Sequence, residues 1–236
     1  MSADREPDSK RQPNFTYLLL GLLVTLLLGP ICAELIDQDG AYADLFTNAS
    51  DLIVQASFSL TLIIGIWSFI ESRVWFSVGI VLAIIAIGST VIEAVSANLK
   101  MELVTQSAIL AFCTLTVVIA ILSVIRSQRM DSNQLMAAIC IYLLLGIILA
   151  VLNMIVLKLI PGSFEGIALG HEDQAGLDMI YFTFVTMTTL GYGDILPVSP
   201  LARALAYMAA VAGQFYVALL VGMMVGQYLR QKSEEN

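Results

Sequence analysis

The chain alternates between long apolar stretches and short polar ones. A helix needs about 20 apolar residues to cross the hydrocarbon core of a bilayer. Six stretches meet this length, at 15–33, 52–70, 74–92, 103–125, 135–160 and 201–229. The pattern therefore predicts an all-α membrane protein with six transmembrane helices.

A seventh apolar stretch, from Asp178 to Thr188, is too short to cross the bilayer. It is followed at once by Gly191-Tyr192-Gly193, where a regular helix is not expected. Irregular backbone is tolerated at membrane depth only where it is buried in protein or lines water. The segment therefore predicts a re-entrant helix followed by a loop that returns to the same side.

The basic residues predict the orientation of the spans. With the N-terminus inside, 8 of the 11 Lys and Arg residues lie on the inner side, and the others are Lys100, Lys158 and Arg203. An excess of basic residues marks the cytoplasmic side. We therefore expect a multi-pass protein of the plasma (inner) membrane with both termini cytoplasmic. The acidic residues among Arg5, Lys10 and Arg11 argue against a cleaved signal peptide.

Composition supports a membrane location and disfavours other classes of protein. Apolar residues make up 58% and charged residues 13% of the chain, and the mean hydropathy is +0.87, whereas soluble domains are about 25% charged. No basic stretch predicts nucleic-acid binding. The chain has one histidine, no Ser/His/Asp set and no phosphate-binding loop, which predicts that it is not an enzyme. Packing is the predicted role of the three cysteines, Cys32, Cys113 and Cys140.

The segment after the short helix carries the most specific motif. It reads Thr188-Thr189-Leu190-Gly191-Tyr192-Gly193-Asp194 and resembles the signature of the tetrameric potassium channels, over about residues 135–229. K⁺ sheds its water when carbonyl oxygens replace it. Glycine reaches the backbone conformations that turn successive carbonyls to one side. The resemblance implies a filter of residues 189–193 and a homotetramer, with K⁺ as the permeant ligand at the oxygens of Thr189, Leu190, Gly191 and Tyr192, and no cofactor.

The same resemblance assigns residues that support the filter. Thr188 precedes it, and the negative end of the short helix would favour a cation at the pore centre. Tyr181 and Phe182 stand where the family has an aromatic cuff, and Asp194 either braces the filter from behind or caps the loop in solvent. Two positions depart from the family pattern. Leu190 replaces the commoner valine, and Val185 replaces a carboxylic acid that bonds this aspartate in several relatives.

Glycines in the last span are the candidates for gating. Gly213 suits a hinge, as in the family, or close helix packing, and both readings stay open. For Gly222 and Gly226 we favour packing, because small residues four apart let helices approach closely. Only the short segment 230–236 follows the span. We therefore expect gating to act through the membrane part or through an unknown regulatory partner.

The fourth predicted span, 103–125, contains no Lys or Arg, although Arg126 and Arg129 lie at its inner end. Steep voltage dependence takes about three to four charges per subunit that move through the field. The chain thus resembles a six-transmembrane, one-pore-loop, bacterial-like type that lacks voltage-sensor arginines. Asn153 is expected to bond between helices, and His171 is a weaker candidate for sensing external pH.

These expectations combine into one organisation. A cytoplasmic tail (1–14) precedes a four-helix peripheral domain (15–130), which is followed by a pore domain (131–229) and a second tail (230–236). The predicted function is passive, K⁺-selective conduction through the Thr-Leu-Gly-Tyr-Gly filter without strong voltage gating. The alternatives are the pore subunit of a potassium transport system, a weakly selective cation channel, and a noncatalytic membrane scaffold.

Overall fold

The computed structural model describes residues 15–37, 73–95, 99–126, 132–167 and 175–234. Most of these residues lie in helices, which are α1 (Phe15–Asp37), α2 (Arg73–Val95), α3 (Leu99–Arg126), α4 (Ser132–Leu159), α5 (Ala175–Met187) and α6 (Pro200–Glu234). The second predicted span, the N-terminal tail and His171 lie outside the described residues. The helical fold class is confirmed for the part of the chain that the structure describes.

Three of the described helices are long and apolar enough to cross a membrane. Their apolar segments are Lys100–Ile125 in α3, Asn133–Leu159 in α4 and Pro200–Gly226 in α6. Shorter apolar segments occupy α1, at Phe15–Ile31, and α2, at Ser77–Ala86. The described residues thus confirm three membrane-spanning candidates, whereas the count of six stays a prediction. The 13-residue helix α5 has the length expected of the re-entrant segment.

Local sequence explains where α4 and α6 begin and end. Pro161 and Gly162 follow the last residue of α4, and Gly162 has a φ of 78° that glycine adopts readily. Ser199 caps α6, because its Oγ accepts a hydrogen bond of 3.1 Å from the Ala202 N–H. Pro200 then occupies the first helical position, where its missing N–H costs nothing. At its other end α6 continues to Glu234, beyond the predicted start of the tail at 230.

Of the first three described helices, α1 and α3 pack on α4, and α2 packs on α3. Helix α2 packs on α3 through small residues and one ring, at Ala83, Ala86, Ala108 and Phe112. Helices α3 and α1 both pack on α4. Lys158, in the last turn of α4, forms an ion pair with Glu102, in the first turn of α3, so the two helices run antiparallel. At the opposite end of α4, the Phe15 N–H donates to Asn133 Oδ1 at 3.0 Å.

Helix α5 lies against both α4 and α6. A buried apolar cluster joins these elements, with Met154, Phe164, Met179, Phe182, Ile195 and Ala202 among its members. Two short strands, β1 (Phe164–Glu165) and β2 (Leu196–Pro197), pair antiparallel beside it. This pairing was not predicted, because two residues are too few to show a strand pattern. It ties the chain after α4 to the chain before α6, and the candidate filter lies between α5 and β2.

Candidate ion-conduction site

The last turn of α5 is hydrogen-bonded directly to the beginning of the candidate filter. The Val185 carbonyl accepts from the N–H groups of Leu190, at 3.0 Å, and Gly191, at 3.2 Å. The Thr189 N–H donates to the Thr186 carbonyl at 3.0 Å. These bonds satisfy carbonyls that the end of a helix leaves unpaired. As a result, the position of α5 determines where the filter backbone begins.

The backbone of the candidate filter is left-handed at every second residue. The φ angles are 62° at Thr189, 55° at Gly191 and 78° at Gly193. Glycine adopts such angles easily, whereas they are uncommon and strained for a threonine. The sequence analysis expected this conformation at the two glycines and missed it at Thr189. Nothing in the local sequence signals it, since threonine is β-branched and disfavours positive φ.

The candidate filter presents an uncovered face in a single chain. The side chains of Leu190 and Tyr192 are 56% and 67% exposed, and all residues from Thr188 to Asp194 are exposed. The hydroxyl of Thr189 donates to the Thr188 carbonyl at 2.6 Å. A contiguous apolar and aromatic surface of this kind marks a contact or binding region.

Asp194 turns back toward α5 and bonds to a tyrosine there. The Tyr181 hydroxyl donates to Asp194 Oδ2 at 2.5 Å, and the Ile195 N–H donates to Oδ1 at 3.1 Å. The Tyr181 ring also stacks on Tyr192, with ring centroids 6.5 Å apart and an angle of 8° between the planes. This geometry favours the brace over the solvent cap for Asp194. The Tyr181 hydroxyl thus makes a bond to Asp194 that the Val185 side chain cannot make.

The Tyr181–Asp194 bond changes the ionisation of both groups. The hydroxyl stabilises the carboxylate and so lowers the pKa of Asp194 below its ordinary value. The same bond raises the pKa of Tyr181 to about 12. The sequence analysis named both residues but did not pair them. The sequence feature that could have predicted the pair is the hydroxyl of Tyr181, since a phenylalanine at this position could not bond to Asp194.

Of the other predicted support residues, Phe182 and Val185 lie deeper than Tyr181, while Thr188 is exposed. Phe182 is buried and makes an edge contact with Phe164, with centroids 5.4 Å apart. Val185 is half-buried and acts through its backbone carbonyl. Thr188 bonds back to α5, since its hydroxyl donates to the Phe184 carbonyl at 2.8 Å. Tyr181, Tyr192 and Asp194 therefore form one group, while Phe182 belongs to the core.

The loop after α4 supports Asp194 from the other side, which the sequence analysis missed. Gly166 has a φ of 87°, and a Cβ at this position would overlap the Asp194 carbonyl. The buried Ser163 carbonyl accepts from the N–H groups of Val198, at 2.8 Å, and Ser199, at 3.2 Å. The chain on both sides of the β1–β2 pair is thus fixed close to Asp194.

The three candidate gating glycines have different surroundings. A Cβ at Gly213 would overlap the carbonyl of Met187, the last residue of α5. Close packing is therefore a sufficient reason for glycine at this position. Gly222 and Gly226 have no atom of the described chain within 4 Å of such a Cβ. Their predicted packing partners are thus not among the described residues of the same chain.

The described residues contain no group of three or more His, Cys, Asp and Glu side chains arranged to hold a metal ion. Cys113 and Cys140 are buried free thiols in α3 and α4. The chemistry that this region offers a ligand is therefore that of backbone carbonyls, hydroxyls and one carboxylate. Such hard oxygen groups suit an alkali cation better than a transition metal.

Residues 137–230 match a family model described as "Ion channel". Two-pore potassium channel 1 of Arabidopsis thaliana is 40% identical over 65 residues, 28% of this chain and 18% of that protein. The potassium voltage-gated channel protein shk-1 of Caenorhabditis elegans is 39% identical over 56 residues, 24% of this chain and 10% of that protein. The inward rectifier potassium channel Kirbac3.1 of Paramagnetospirillum magnetotacticum is 30% identical over 70 residues, 30% of this chain and 20% of that protein.

The chain thus spans a fifth or less of the length of these relatives. No solved structure matches it significantly. The matched region contains α4 from its sixth residue, all of α5, the candidate filter and most of α6. Residues 137–230 are thus similar to an ion channel family and to parts of potassium channels.

Proposed function

We propose that the chain is one subunit of a potassium-selective channel, in which carbonyls of Thr189, Leu190, Gly191 and Tyr192 replace the water of K⁺. The left-handed backbone at residues 189, 191 and 193 carries this proposal. An ordinary strand alternates its carbonyls between two sides, and left-handed residues at alternate positions turn them to one side. A column of carbonyls is what K⁺ selectivity uses.

A ring of carbonyls needs several copies of the loop, and one chain supplies one. We therefore assign a homotetramer as the working form. The exposed faces of Leu190 and Tyr192, and of Tyr207 and Phe215 on α6, supply apolar surface for such contacts. The open surroundings of Gly222 and Gly226 fit helices of neighbouring subunits. In the bilayer, the basic residues orient both termini to the cytoplasm.

The proposed channel is not strongly voltage-gated. No Lys or Arg occurs in α3 between residues 103 and 125. Lys100 and Glu102 lie in its first turn and Arg126 at its last residue, where a charge crosses little of the field.

Flux from liposomes tests the proposal. The protein is reconstituted in K⁺-loaded vesicles, and K⁺ efflux is compared with Na⁺ efflux from matched vesicles. We expect K⁺ flux that barium blocks and that Gly191→Ala abolishes, because alanine is strained at a φ of 55°. Gly88→Ala in α2, where a Cβ meets no atom within 4 Å, is the control and should conduct normally.

A weakly selective cation channel is the second candidate. Leu190 and Val185 favour it, since both depart from the selective family pattern. Equal Na⁺ and K⁺ flux from the wild-type protein would establish this function instead. A transport-system pore subunit is less favoured, because the chain carries a single filter loop.

A further inference from the structure

A buried polar pair joins α4 and α5. Asn153 Nδ2 donates to Thr183 Oγ1 at 3.0 Å, and both residues are fully buried. The Thr183 hydroxyl donates in turn to the Met179 carbonyl of its own helix at 2.7 Å. The expected helix–helix bond of Asn153 is therefore present, and its partner lies on the helix that holds the filter.

Asn153 is expected to lower the free energy of unfolding compared with an apolar residue at this position. Among the described residues, its Oδ1 atom has no hydrogen-bond partner. A buried polar atom without a partner lowers the free energy of unfolding, whereas an apolar side chain of similar size would not. Packing alone thus gives no reason for an amide here. What distinguishes the amide from leucine is its directional bond to Thr183.

A second contact on the same face of α4 positions the neighbouring residue of α5. Gly146 lies seven residues before Asn153, which is about two helical turns. A Cβ at Gly146 would overlap the Phe184 ring, so the glycine lets this ring approach α4 closely. The glycine contact brings the helices together, and the Asn153–Thr183 bond determines their relative register. The two contacts fix consecutive residues of α5, Thr183 and Phe184.

The position of α5 along α4 determines the position of the filter backbone, because the two are hydrogen-bonded. The Val185 carbonyl, two residues beyond Thr183, accepts from the N–H groups of Leu190 and Gly191. A shift of α5 along α4 therefore moves the backbone of two proposed K⁺-binding residues. Selectivity depends on the placement of these carbonyls.

We propose that Asn153 is a positioning residue for the filter, which sets the register of α5 through Thr183 and thereby the preference for K⁺ over Na⁺. The inference rests on the proposed function, since it names a residue that determines the selectivity of that same site. A positioning role and a purely structural role of Asn153 predict different effects on selectivity. Selectivity should depend on the bond even where the stability of the protein does not.

The double variant Asn153→Leu/Thr183→Val separates the two roles. It replaces both partners by apolar groups of similar shape, which is close to neutral or stabilising for a buried pair. We expect a tetramer at least as heat-stable as the wild type, with a K⁺/Na⁺ flux ratio lowered about tenfold, the size of effect that one buried hydrogen bond permits. The single variants Asn153→Leu and Thr183→Val should each lower the ratio by a similar factor, because each breaks the same bond as the double variant.

Thr116→Val in α3 is the matched control. Thr116 is also buried, and its hydroxyl donates to the Phe112 carbonyl at 2.9 Å, as that of Thr183 does to Met179. It should leave the flux ratio unchanged. A double variant with the wild-type flux ratio and barium block would overturn the inference while leaving the proposed function intact, and so would additive effects of the single changes. Absence of K⁺ flux from the wild type would instead overturn the proposed function.

Discussion

The two halves of the molecule use their polar side chains differently. In the pore half (α4–α6), hydroxyls and an amide join separate elements, as in the pairs Tyr181–Asp194 and Asn153–Thr183. In the peripheral half (α1–α3), the hydroxyls of Ser107, Thr114 and Thr116 donate to carbonyls four residues earlier in their own helix.

A hydroxyl that bonds to its own helix is satisfied in an apolar surrounding without selecting a neighbour. A bond between elements instead fixes their relative position. The two pairs of the pore half therefore specify geometry, while these hydroxyls of the peripheral half keep polar groups compatible with a membrane. Both of these pairs lie within the region that matches the ion channel family, 137–230.

The largest expected effect comes from the close contact between α6 and α5. Gly213→Ala should push α6 away from the Met187 carbonyl and lower the free energy of unfolding by about 1–3 kcal/mol. Gly88→Ala in the peripheral half should have little effect, since a Cβ there meets nothing. Thermal unfolding of the purified protein checks both. A stable Gly213→Ala tetramer with lowered open probability would instead establish the hinge.

Two glycines near the filter give a matched pair within the pore half. Gly162 and Gly166 both have positive φ, but only at Gly166 would a Cβ overlap another residue, at the Asp194 carbonyl. Gly162→Ala should cost about 1–2 kcal/mol from backbone strain alone. Gly166→Ala should cost more and also lower the K⁺/Na⁺ flux ratio. Equal effects of the two variants on flux would show that the loop after α4 does not support the filter.

The smallest expected effect is on the pH at which K⁺ flux is lost. The Tyr181 hydroxyl lowers the pKa of Asp194 in the folded protein, so the brace is complete above the ordinary carboxyl pKa. It is lost as the pH falls through the lowered value. Tyr181→Phe removes the bond and should move the loss of K⁺ flux at low pH to a higher pH. Flux measured against pH checks this, with Tyr17→Phe as the control, since Tyr17 is an exposed residue of α1. Identical acid profiles would mean that Asp194 does not brace the filter.

The sequence predicted what depends on length and apolar character. Apolar runs near the length of the bilayer core predicted the spans that the structure shows as α3, α4 and α6. A shorter apolar run predicted helix α5. Helix α6 continues past the predicted end of the span, because Gln231 and Lys232 are polar but form helix about as readily as leucine does. Asn153 was predicted to bond between helices, since a lone amide in a span needs a partner.

Features that depend on contacts between distant residues were not predictable. The left-handed Thr189 contradicts the preference of a β-branched residue and results from its place between α5 and Gly191. The Tyr181–Asp194 bond joins residues 13 apart whose approach depends on the whole loop. The contact of Gly166 with Asp194 requires the β1–β2 pair, which leaves no signal in the sequence.

The central claim is that the carbonyls of Thr189, Leu190, Gly191 and Tyr192 bind K⁺ in a ring formed by four chains. Anomalous X-ray scattering from crystals of the assembled protein grown with rubidium in place of potassium tests it most directly. The account predicts anomalous peaks in a row on the fourfold axis, between successive layers of these carbonyls. An axis without such peaks, or carbonyls directed away from it, would contradict the account.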